Sequence, residues 1–94
     1  MAQKRIFILI PFQPEFSDVY QAIQSASIKS EEYTNQSYIL VRADEHAGMN
    51  IHNDILGAIS KSDLIIADTT GANPNVLYEL GFAEALDKPV IIIT

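Results

Sequence analysis

Four short runs of aliphatic residues constrain this chain more than anything else in it: Ile6-Phe7-Ile8-Leu9-Ile10, Tyr38-Ile39-Leu40-Val41, Leu64-Ile65-Ile66-Ala67 and Val90-Ile91-Ile92-Ile93. None alternates apolar with polar residues, as a strand with one wet face would. Continuous Ile, Val and Leu mark strands buried on both sides, the pattern of a parallel sheet covered by helices. The stretches between the runs change period. From Phe16, apolar residues fall at Val19, Tyr20, Ile23 and Ala26; further on they fall at Ile51, Ile55, Ala58 and Ile59. Both series have helical spacing. Asn73-Pro74 opens a third helix, with Asn as cap and Pro as first helical residue. Residues 30–37 are polar and read as a loop, as do residues 42–50 around Gly48 and residues 69–73. Pro11 closes the first strand and Pro89 leads into the fourth.

The order β-α-β-α-β-α-β points to an α/β protein, with right-handed crossovers. The expected architecture is a three-layer α/β/α, doubly wound parallel sheet of the flavodoxin-like kind. Ninety-four residues hold one such domain, residues 1–94. An end at Thr94, one residue past an apolar strand, is abrupt for this architecture, and the domain is expected to be incomplete at its C-terminus. Apolar residues make up 48% of the chain and charged residues 19%, which argues against disorder. The chain has no Cys, so thiolate metal sites, disulfides and a Cys nucleophile are excluded. Six basic residues are scattered against twelve acidic ones, for a net charge of −6, so no nucleic acid polymer is expected as partner. The apolar residues 6–12 fall far short of the roughly 20 residues of a membrane span. Lys4-Arg5 ahead of them imitates a secretion signal, but Gln13-Pro14-Glu15 follows where a cleavage site would stand. The expectation is a cytoplasmic protein with no membrane contact.

In an open parallel sheet, ligands bind beyond the carboxyl ends of the strands. Here those ends are Pro11-Phe12-Gln13, the stretch from Arg42 to His46, Asp68-Thr69-Thr70-Gly71-Ala72-Asn73, and Thr94. The third helix is the most informative element. Val76, Leu80 and Ala83 form its inward stripe, and Glu79 shares or borders that stripe. A carboxylate there is either paired with a cation at the stripe's edge or held at the rim of a cleft that tunes its pKa. Gly81, inside the same helix, costs roughly 1 kcal/mol relative to Ala. That points to a backbone or ligand passing close, or to packing. Asp54 falls in the first turn of the second helix, where the helix dipole favours it. Asp68 is placed to accept hydrogen bonds from the turn that follows it. Asp44, Glu45, His46 and His52 match no compact metal-ligand spacing, and a solvated loop explains them better. Phosphate-cradling fingerprints are missing, and no Ser-His-Asp arrangement can be assembled.

Taken together, Arg5-Ile6-Phe7-Ile8-Leu9-Ile10-Pro11-Phe12, Asn53-Asp54-Ile55-Leu56, Asp63-Leu64-Ile65-Ile66-Ala67-Asp68, Asn73-Pro74-Asn75-Val76-Leu77-Tyr78-Glu79-Leu80-Gly81-Phe82-Ala83 and Lys88-Pro89-Val90 resemble the nucleoside 2-deoxyribosyltransferase-like family. The opening Ile-Pro-Phe is similar to a branch of that superfamily described as nucleotide-binding. The resemblance implies a flavodoxin-like fold and cleavage of an N-glycosidic bond in a nucleoside or nucleotide, without metal or organic cofactor. It assigns Glu79 as the nucleophile that attacks the anomeric carbon. It assigns Asp54 as the acidic residue that contacts the leaving base. Asn73, Phe12, Asp68 and Asn75 are implied as substrate-binding. Where the family has an Asp six residues before its nucleophile, this chain has Asn73. The family also builds its sites at subunit contacts, which implies a homo-oligomer.

Two other readings stand beside this one. Toll/interleukin-1-receptor-like domains share the architecture and carry a Glu on an equivalent helix that supports NAD cleavage; Tyr78-Glu79-Leu80 is similar to that context. The third reading is a module that binds a nucleotide as a signal without turnover.

Overall fold

The computed structural model describes residues 3–11, 13–42 and 51–94, with side chains in the last stretch from Asp54 onward. Strand β1 (Gln3–Leu9) is followed by a short 3-10 turn (Pro14–Phe16) and helix α1 (Ser17–Thr34). Strand β2 (Ser37–Arg42), helix α2 (Ile51–Ser60) and strand β3 (Leu64–Asp68) come next. A second 3-10 turn (Thr70–Ala72) leads into helix α3 (Pro74–Ala85) and strand β4 (Val90–Ile93). The four strands form one sheet in the order β2-β1-β3-β4, and every pairing is parallel. This is the doubly wound arrangement expected from the alternation of elements.

The sheet separates two apolar clusters. Phe7, Leu9, Ile65 and Ala67 face α2 and α3, where they meet Ile55, Ile59, Val76, Leu80 and Ala83. Ile6, Ile8 and Ile10 face α1 and meet Ile23. Three layers result, with β1 at the centre. Phe7, Ile8 and Leu9 are essentially inaccessible to water, so each contributes roughly 1.5–3 kcal/mol of transfer free energy.

Burial on both faces fails at β4. Ile91 and Ile92 remain 50% and 52% exposed. Register explains which layer each belongs to. Ile92 pairs with Ala67 and lies on the α2/α3 side, whereas Ile91 pairs with Ile66 and lies on the α1 side. Among the described strands β4 is an edge, and no described helix covers its outer half.

The polar stretch expected as a loop, residues 30–37, is helical as far as Thr34. Glu31 and Glu32 are good helix formers, and polarity there reflects a solvated helix face. The stop comes at Asn35, which takes the left-handed conformation at φ 55° and donates its N–H to Glu31 O at 2.9 Å. The Glu31 carboxylate then receives the Tyr38 N–H at 2.7 Å and steers the chain into β2. At the opposite end of the sheet from the strands' carboxyl termini, Lys88 Nζ donates to Ser60 O at 2.7 Å and Ser62 O at 2.9 Å. That contact ties the start of β4 to the end of α2.

No described helix is long and apolar enough to cross a membrane.

Candidate functional site

Strands β1 and β3 are neighbours, but the chain leaves them in opposite directions across the sheet, to β2 on one side and β4 on the other. This reversal opens a crevice beyond the strands' carboxyl ends, where ligands of doubly wound sheets bind. A hollow of about 280 Å³ lies there, lined by Pro11, Gln13, Glu15 and Phe16 after β1 and by Thr70, Gly71, Asn73 and Pro74 after β3.

The far wall is built by a tight turn. Asp68 is 3% exposed at the end of β3, and its Oδ1 accepts the Thr70 N–H at 2.9 Å. Gly71 and Ala72 both take positive φ, 77° and 52°. Gly adopts this region freely, whereas Ala pays roughly 1 kcal/mol or more for it. The backbone must reverse within these residues to aim α3 back across the sheet. Asn73 then caps the helix: its Oδ1 accepts the N–H groups of Asn75 at 2.9 Å and Val76 at 3.2 Å. Pro74 at the first helical position has no N–H to satisfy.

Glu79 stands six residues beyond Asn73, roughly 9 Å along the helix axis. Val76, Leu80 and Ala83 are buried as their spacing requires, and Glu79 is partly buried beside them. Burial raises the pKa of its carboxyl, with neither a hydrogen bond nor an ion pair contributing. The cation partner that would make it a surface ion pair is therefore missing among the described residues. Asp54 sits in the first turn of α2, the helix packed beside α3 on the same side of the sheet, and is also partly buried.

The structure thus brings Asn73 to the hollow and places Asp68 immediately behind it. Asn75 is exposed in the first turn of α3. Glu79 and Asp54 are on the α2/α3 side of the sheet and do not line this hollow. Phe12 lies outside the described residues, as do Asp44, Glu45 and His46, and the side chain of His52 is not described. Gln13, Glu15 and Thr70 line the hollow although sequence reasoning did not select them. Gln13 and Thr70 fall in the strand-end stretches, and that position was their only signal. Nothing in the periodicity marks Glu15.

Part of one expectation is overturned. A Cβ added at Gly81 would meet nothing within 4 Å, so among the described residues no backbone or side chain passes close to it. Gly81 is an exposed helix position, and its small size serves no contact among the described residues. No described group of three or more His, Asp or Glu is placed to hold a metal ion.

No family model matches the chain. No curated protein matches it either. A solved structure does: the 2-deoxyribosyltransferase from Leishmania mexicana, at 25% sequence identity with a TM-score of 0.71. The match covers 96% of this chain, which spans 63% of the length of that one. The resemblance to the nucleoside 2-deoxyribosyltransferase-like family thus extends from the motifs of this chain to its fold.

Proposed function

We propose that this chain acts on nucleosides or nucleotides, cleaving their N-glycosidic bond through a Glu nucleophile and passing the sugar to a second base or to water. Glu79 supports the reading best. It is a carboxylate held on a packed helix, partly desolvated, and not committed to any described cation. Desolvation leaves an ionised oxygen less stabilised and hence more nucleophilic.

The chemistry divides into two displacements. A Glu79 carboxylate oxygen bonds to the anomeric carbon, and the carbon–nitrogen bond breaks with its electron pair leaving on the base. Asp54, as a carboxylic acid, donates a proton to the departing base, which is a better leaving group when protonated. An incoming base nitrogen or a water oxygen then attacks the same carbon while giving its proton to the Asp54 carboxylate, and Glu79 leaves as a carboxylate. The two inversions retain configuration. Asn73 reaches the sugar from the hollow's wall, and Asn75, two residues further on, and Phe12, next to Pro11 in the chain, complete the substrate-binding set. Asp68 contributes by bracing the Thr70 turn. No cofactor is needed for these steps. The half-exposed Ile91 and Ile92 on edge strand β4 support assembly into a homo-oligomer.

The test is incubation with deoxynucleosides, deoxynucleotides and NAD, followed by analysis for free base and nicotinamide. Base release that disappears in Glu79→Ala, with the fold retained, is the expected result. Undiminished release by that variant overturns the nucleophile assignment. Nicotinamide alone would favour the NAD-cleaving reading, and binding without turnover a signalling module.

A further inference from the structure

The side-chain amide of Asn73 has a fixed orientation. Its Oδ1 accepts the N–H groups of Asn75 at 2.9 Å and Val76 at 3.2 Å. Only the oxygen of an amide accepts, so these two bonds turn Oδ1 toward α3 and decide which branch is Nδ2. An amide oxygen has two lone pairs, and here both are taken. Among the described residues nothing accepts from Nδ2. Asn73 is half-buried and borders the hollow. Its side chain therefore has N–H donors left for a ligand, and no acceptor.

The other polar side chains on this wall are not restricted in that way. The Gln13 amide carries both a donor and an acceptor, and the Thr70 hydroxyl can act as either. Glu15, as a carboxylate, accepts. Among the lining side chains, Asn73 is thus the one that only donates. Capping the helix is what fixes this, because the cap consumes the oxygen.

Resting on the proposed glycosidic reading, we infer that Asn73 holds the substrate through a sugar hydroxyl oxygen that acts as acceptor, so that the hydroxyl proton is not needed there. A methyl ether keeps the oxygen and loses only the proton, and it still receives the Asn73 N–H. A carboxylate at the same position makes the opposite demand. It has no proton to give, so it binds a hydroxyl that donates and meets an ether oxygen with repulsion. Asn73→Asp makes this exchange without removing the helix cap, since Asn and Asp cap equally well.

The experiment compares the four 2′-deoxynucleosides with their 3′-O-methyl and 5′-O-methyl ethers, by base release and by calorimetric binding to the whole chain and to its Asn73→Asp variant. The reading is the preference for hydroxyl over ether at each position, which cancels whatever the new charge does to both ligands alike. At one of the two positions that preference should grow roughly tenfold or more in the Asp variant, as expected when a hydrogen bond to a charged group is lost. The same preference in both proteins at both positions, with base still released, would overturn the inference and leave the glycosidic reading intact. The expected change in binding without any base release would uphold the role of Asn73 and sink the catalytic reading. Binding of none of these ligands by either protein would overturn both.

Discussion

Asn73 Oδ1 accepts the N–H groups of both Asn75 and Val76, so the residue that borders the hollow also starts the helix on which Glu79 stands. The wall of the hollow and the cap of the helix thus meet in one side chain. Substitutions can separate them. Asn73→Ala removes the acceptor and should cost about 0.5–2 kcal/mol, seen as a lower denaturation midpoint. Asn73→Asp keeps an equally good cap, so its midpoint should match the parent's, while the new charge alters ligand affinity. An unchanged midpoint for the Ala variant would show that the cap contributes nothing.

The burial of Glu79 has a sign that can be checked. Its carboxyl pKa is raised in the folded protein. Such a group stabilises fully below its unfolded value of about 4.3, and that contribution is lost as pH rises through the folded value. At neutral pH the ionised side chain therefore costs stability, and Glu79→Gln should relieve it. The melting temperature of the Gln variant should therefore be the higher of the two at neutral pH. Below about pH 4 the two proteins should melt together. A less stable Gln variant at neutral pH would mean that the carboxylate has a partner in solution.

The same raised pKa predicts the acid side of the activity profile. In the proposed mechanism only the ionised form of Glu79 can attack. The fall in kcat/KM on acidification should therefore centre above the ordinary Glu value of about 4.3, since this ratio reports the free enzyme. A rate that persists unchanged to below that value would assign the nucleophile elsewhere.

Three small residues in α3 and the turn before it offer a contrast in backbone energetics. Gly81 is exposed, with open space where a Cβ would go, so Gly81→Ala should stabilise α3 by up to about 1 kcal/mol. Ala72 holds φ 52° in the turn before α3. Ala72→Gly should gain roughly 0.5–1 kcal/mol, and Gly71→Ala at φ 77° should lose a comparable amount. Chemical denaturation of the three variants measures all of this.

Much of the fold was legible before any coordinates. The aliphatic runs name the strands, and their lack of alternation names a sheet covered on both faces. The cap at Asn73 and the stripe of Val76, Leu80 and Ala83 are local signals, and the helix forms where they place it. The turn bond from Asp68 to Thr70 is likewise local in origin. The end of α1 was less legible. Glu31 looks like loop polarity until its carboxylate is seen to meet the Tyr38 N–H, a contact seven residues away in the chain.

By itself the sequence determined the periods, the caps and the class of the sheet, because each depends on residues within one or two turns of one another. The order β2-β1-β3-β4 was decided only in three dimensions, and with it the crevice between β1 and β3. So were the joining of Gln13 and Glu15 to Thr70 and Asn73, the confinement of Arg42 to the α1 face, and the partial burial of Glu79. Strand order and desolvation arise from segments far apart in the chain packing across one sheet. No local pattern encodes a distance between side chains more than fifty residues apart.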